Sequence, residues 1–159
     1  MKAIVLSDIH GEGARLQACL ERLWAETGPV DAYLFCGDGM ADFRGAEAFL
    51  RAHDPEAALY GVAGNCDGDC GAPESDVVTL DGARLLLTHG HRQYARLTRR
   101  LLDRAARKAG CAVCIYGHTH VPEARPGKVL RLNPGAVKDG CLALLEIAGG
   151  VPSARLYSF

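Results

Sequence analysis

Apolar positions along the chain fall into short runs with two different periods. Residues 2–7 form a compact, β-branched run that predicts a strand. Between residues 12 and 26, Leu16, Cys19, Leu20, Leu23 and Trp24 recur at steps of three and four, which predicts a helix stopped by Gly28-Pro29. Residues 32–36 predict a second strand, 43–52 a helix ending near His53-Asp54-Pro55, and 58–62 a third strand. Residues 67–74 are rich in Gly and Asp and predict a loop. The runs 77–80 and 84–88 flank Asp81-Gly82, the strongest hairpin signal in the chain. Residues 94–109 predict an amphipathic helix stopped by Gly110, and 112–116 another strand. After that the texture changes: 129–132, 142–147 and 154–157 predict short strands separated by Gly/Pro turns.

The alternation of strand and helix in the first half predicts a central sheet with helical crossovers, an α/β arrangement. The strand-rich second half predicts a second sheet packed on the first. No repeat, low-complexity stretch or linker divides the 159 residues, so a single domain over 1–159 is expected. A chain of this size buries roughly 68–70% of its unfolded surface and needs no covalent staple.

Composition sharpens this mainly by exclusion. A net charge of −1 gives no global field for nucleic acid or an anionic membrane. No stretch approaches the roughly 18 uninterrupted apolar residues of a membrane span. The N-terminus runs from Met1 straight into a motif at Asp8, with no secretory signal pattern. Seven cysteines is an odd number, poorly suited to a disulfide framework. A cytoplasmic protein with mostly buried, reduced thiols is expected. A homo-oligomer is compatible with all of this.

The chemistry is concentrated in the histidines. Five of the six sit in three clusters: Asp8-Ile9-His10, His89-Gly90-His91 and Gly117-His118-Thr119-His120. Asp38 and Asn65 each follow a Gly, and all these groups follow predicted strands, where open α/β sheets place their sites. In extended backbone, residues two apart project to the same side, so Asp8 with His10, and His118 with His120, are each expected to reach one ion. Imidazole, carboxylate and amide oxygen without thiolate suit Mn, Fe, Ni, Co or Zn. Seven donors (Asp8, His10, Asp38, Asn65, His89, His118 and His120) exceed one tetrahedral site. They fit two ions about 3.5–4 Å apart, bridged by the central acid Asp38 and holding a bridging hydroxide for in-line attack at phosphorus. His53 fits no cluster and reads as a helix-end residue, and Asn133 in Asn133-Pro134-Gly135 reads as a turn former.

In order and spacing, Asp8-x-His10, Gly37-Asp38, Gly64-Asn65-Cys66-Asp67, His89-Gly90-His91 and Gly117-His118-Thr119-His120 resemble the calcineurin-like metallophosphoesterases. The short chain and the Gly-Asn-Cys-Asp variant look most like their small YfcE-type phosphodiesterase branch, whose relatives include the Vps29 retromer subunit. The resemblance implies a four-layer αββα sandwich with two mixed β-sheets. It implies a first metal site of Asp8, His10, Asp38 and His120, and a second of Asp38, Asn65, His89 and His118. The implied cofactors are two divalent ions, manganese foremost, with nickel, iron, cobalt or zinc as other fits. Many larger members carry His after the Asn, where this chain has Cys66, so the general acid is left open. Asp38, Asn65 and His91 are the expected catalytic positions, His91 as acid or phosphate contact. The expected activity is hydrolysis of a small phosphodiester or nucleotide-like substrate. A phosphomonoesterase, a nucleotide-polyphosphate hydrolase or a Vps29-like protein-binding scaffold are the alternatives.

Overall fold

Strand side chains alternate between two faces, and in this chain both faces are apolar. The computed structural model describes residues 1–159. Strand β1 (Lys2–Leu6) sends Ile4 and Leu6 to one apolar cluster and Ala3 and Val5 to another. Strand β2 (Ala32–Phe35) does the same with Tyr33 and Phe35 against Ala32 and Leu34. A strand buried on both faces reads as a continuous hydrophobic run, which is why these segments showed no polar alternation.

Helices α1 (Gly13–Thr27), α2 (Met40–Gly45) and α3 (Glu47–His53) cover the outer face. Their residues Leu16, Leu20, Leu23, Phe43 and Leu50 fill the cluster shared with Ile4 and Phe35. The first sheet runs β10-β9-β1-β2-β3, with β3 spanning Ala58–Gly61, β9 Cys141–Ala148 and β10 Val151–Ser158. Within it β1, β2 and β3 are parallel, and β9 joins β1 antiparallel. The second sheet runs β4-β5-β6-β8-β7, with β4 Ser75–Leu80, β5 Ala83–Thr88, β6 Val113–Ile115, β7 Glu123–Arg125 and β8 Leu130–Asn133. Its strands β5, β6 and β8 are parallel. Leu85, Leu87, Val113 and Ile115 meet the first sheet across the central cluster. Leu86 and Cys114 face the other way, onto Leu102 and Ala106 of α4 (Arg100–Lys108). Three apolar layers therefore separate four layers of secondary structure, the αββα sandwich of two mixed sheets.

Some element boundaries differ from expectation. The helix expected over 43–52 is two short helices meeting at Ala46, although Phe43, Ala46 and Leu50 keep one buried face across the junction. The helix expected over 94–109 is helical only from Arg100. Upstream, the amides of Gln93 and Ala95 both turn back to the Gly90 carbonyl, and Tyr94 takes a positive φ of 53°, so the chain coils in turns. Thr98 Oγ1 accepts the Arg100 N–H just ahead of the helix. Strand β7 was not foreseen: Glu123-Ala124-Arg125 is an edge strand with no apolar signal. The Asp81-Gly82 hairpin is as expected, with Leu80 opposite Ala83 and positive φ at both turn residues.

Candidate metal centre

The parallel strands of both sheets end along one rim, and the cluster residues occupy that rim. Their local backbone departs from the extended form expected. Asp8, His10, Asp38, His118 and His120 all have φ between 52° and 66°, five of the seven non-glycine residues with positive φ. Such residues cost on the order of 1–2 kcal/mol each, and strain of this kind collects at functional sites. The paired donors thus share a side because the backbone curls left-handed at each of them, not because it stays extended. Two loops lock this curl together. Asp8 N–H bonds to Gly37 O at 2.9 Å, and Ile9 N–H to Asp38 O at 2.8 Å.

The glycines before the donors are required by close approach. A Cβ on Gly64 would lie 2.1 Å from Asp38 Oδ1, and one on Gly117 would lie 1.8 Å from Ser7 Oγ. Any larger residue would push the Asn65 and His118 loops off the carboxylates.

Asp38 and Asp8 are buried at the centre. Asp38 Oδ2 lies 3.3 Å from His89 Nε2 and 3.8 Å from His10 Nε2, so one oxygen faces two imidazoles. Asp8 Oδ1 lies 3.1 Å from His120 Nε2 and 3.7 Å from His10 Nε2. Donor atoms of Asp8, His10 and His120 lie within 4.8 Å of one another, as do those of Asp8, Asp38 and His89. Asp8 therefore stands in both groups. His118 belongs to neither triad, but its ring packs edge-on against His89 at 5.0 Å. Asn65 is exposed on the same rim and lines a cleft with His91.

The electrostatics fit a cation. His89 Nδ1 must donate to the Cys36 carbonyl at 2.7 Å, which leaves the Nε2 lone pair facing Asp38. Asp8 Oδ1 and His89 Nε2 are buried without a hydrogen-bond partner, a costly state unless a proton or metal ion sits between such groups. Burial alone would raise the Asp38 carboxyl, but His89 and the Cys66 amide more than offset it and hold it well below its ordinary range. Burial would lower His89, yet Asp38 and Asp8 hold it above its ordinary value. Burial, with His89 and Arg96, pushes His118 down to about 4, leaving a neutral imidazole free to ligate.

Three supporting residues were missed or undervalued by sequence reasoning. Asp67 accepts the amides of Asp38, Gly39, Met40 and Gly64 at 2.7–2.8 Å, fastening the Asp38 loop to the Asn65 loop. Ser7 Oγ donates to Asp8 Oδ2 at 2.6 Å. Asn133 is fully buried and is more than a turn former: its Nδ2 donates to Gly117 O and Thr119 Oγ1, holding the His118 loop. Arg92, next to His91, pairs with Glu74. His53 stacks on Trp24 at 3.9 Å, away from the rim. His91 lies beside His89 with a buried, unpartnered Nδ1.

Residues 1–148 match the calcineurin-like phosphoesterase superfamily domain. The chain is 31% identical over 166 positions to the probable metallophosphoesterase YsnB of Bacillus subtilis, covering 99% of this chain and 90% of YsnB. It is 31% identical over 156 positions to the phosphodiesterase YfcE of Escherichia coli K12, covering 86% of this chain and 79% of YfcE. Among solved structures, wild-type Vps29 of Entamoeba histolytica complexed with Zn²⁺ superposes with a TM-score of 0.74 at 25% identity, covering 99% of this chain and 98% of that one. With a family model matched over nearly its whole length, this chain belongs to the calcineurin-like phosphoesterase superfamily.

Proposed function

We propose that this protein is a cytoplasmic, dinuclear metal-dependent phosphodiesterase acting on small diesters. The observation that carries the reading is the pair of buried, unpartnered atoms, Asp8 Oδ1 and His89 Nε2, grouped with Asp38. Asp38, facing His10 and His89 through one oxygen, would be shared between two ions. Asp8, His10 and His120 complete one site, and Asn65, His89 and His118 the other. Two divalent ions held there would supply a nucleophile from water at neutral pH and neutralise phosphoryl charge. Manganese is the first expectation, and the zinc-bound Vps29 relative supports zinc as a second.

The surrounding side chains orient the substrate. Burial, with His89 and Arg92, holds His91 below its ordinary value, which favours the neutral imidazole. A neutral imidazole is better placed to donate a hydrogen bond to a phosphoryl oxygen than to act as an acid. The Asp38 carboxylate beside Cys66, with burial and the nearby carboxylates, raises the Cys66 thiol, which makes it a weak proton donor too. The leaving group then takes its proton from solvent in the open cleft. Two clefts flank the carboxylates: one of about 450 Å³ lined by Asn65, His91, Arg92 and Tyr94, and one of about 410 Å³ lined by His10, Asp42, Arg44 and Cys66. A cleft on each side gives room for both ester substituents, which favours diesters over monoesters.

The test is hydrolysis of bis-p-nitrophenyl phosphate by chelated protein reloaded with Mn²⁺, Ni²⁺, Co²⁺ or Zn²⁺. Turnover that appears only on reloading is expected. No turnover with any of the four ions would sink the enzyme reading and leave the protein-binding scaffold.

A further inference from the structure

We infer that Cys66 is itself a metal ligand, adding a thiolate to the ion held by His10 and Asp38 when that ion is soft. The inference rests on the metal-centre reading above and extends its donor set from nitrogen and oxygen to sulfur. Donor atoms of His10, Asp38 and Cys66 lie within 4.8 Å of one another, as tight a group as the two carboxylate–imidazole triads. The Cys66 amide bonds Asp38 Oδ1 at 2.7 Å, so the backbone of Cys66 is tied to the bridging carboxylate and its Sγ is held on the same rim. Asn65 Nδ2 donates to Cys66 Sγ at 3.2 Å, a further contact that holds the sulfur on the rim. Cys66 is the exposed cysteine of the chain, open to ions arriving from solvent.

On binding, the S–H bond gives its proton to solvent as the sulfur–metal bond forms, with no change of oxidation state. Thiolate ligands select Zn²⁺, Cd²⁺ and Co²⁺ over Mn²⁺ and Mg²⁺. Soft ions would therefore bind more tightly than manganese and draw Cys66 across the cleft that one ester substituent must enter. The same centre would turn over faster on manganese than on zinc or cadmium.

Co²⁺ added to metal-free protein separates the possibilities by absorption. Visible d–d bands report bound cobalt, and a near-ultraviolet band reports thiolate-to-cobalt charge transfer. The wild-type protein and Cys70→Ser are expected to show both. Cys66→Ser is expected to keep the visible bands, lose the charge-transfer band and bind Cd²⁺ at least about tenfold more weakly, with Mn²⁺ affinity nearly unchanged. Visible bands without charge transfer in the wild type would overturn the inference while leaving the metal centre intact. So would a charge-transfer band that survives in Cys66→Ser. No visible bands at all would overturn the metal-centre reading and this inference with it.

Discussion

At the residue scale, the centre is built from a few side chains whose neighbours leave them no other partner. Asp38 shows this most clearly: Oδ1 takes the Cys66 amide, and Oδ2 faces two imidazoles. Asp38→Asn keeps the shape and removes the charge, so turnover should fall by at least about 100-fold with the far-ultraviolet circular dichroism unchanged. Full activity in that variant would refute the bridging role. Asp67→Ala removes the acceptor of four amides and should lower the unfolding free energy by roughly 2–3 kcal/mol, read from urea melts. The residues that the fold gathers on the rim stood out in the sequence because their types are chemically distinctive. Asp67, Ser7 and Asn133 could not be read as supports, because their work is to bond backbone groups of loops distant in sequence. In the chain they look like ordinary turn residues. The left-handed backbone at the donors was equally hidden, since nothing in an Asp or His announces a positive φ.

Elements were legible where one local signal decides them. Asp81-Gly82 between two apolar runs gave a hairpin, and both residues adopt the positive φ such a turn needs. Gly82→Ala should cost about 1 kcal/mol, visible as a lower urea midpoint. The helix expected from residue 94 starts six residues late because the Gly90 carbonyl captures two amides, an event that amphipathic periodicity cannot register. The two leucines on either side of that boundary should behave very differently. Leu102 is fully buried against the second sheet, so Leu102→Ala should cost about 2–5 kcal/mol. Leu97 is 84% exposed, and Leu97→Ala should stay within about 0.5 kcal/mol. Equal effects in urea melts would contradict the observed helix start.

At the scale of the molecule, the sandwich brings the ends of parallel strands from two sheets to one rim. The alternating first half and strand-rich second half made the two-sheet plan visible in the sequence. The three-cluster layering became visible only with the strand register. The charges set on this frame also fix its acid response. Burial would raise Asp67 and Glu123, but backbone amides around the first, and Tyr116 and Arg131 around the second, hold both below their ordinary values. Carboxyls lowered by folding stabilise the native state fully above their unfolded values of about 3.8 and 4.5 and lose that contribution as pH falls through the folded ones. The urea midpoint of metal-free protein should therefore drop below about pH 4.5, and a midpoint flat from pH 6 to pH 3 would contradict these contacts. The central claim is that one rim holds two ions and that both are needed to cleave a diester. Its most direct test is the turnover of bis-p-nitrophenyl phosphate as Mn²⁺ is titrated into metal-free protein at concentrations far above the dissociation constants. The account predicts activity that climbs to a plateau at two equivalents per chain. A plateau at one equivalent, or no activity at any ratio, would contradict it.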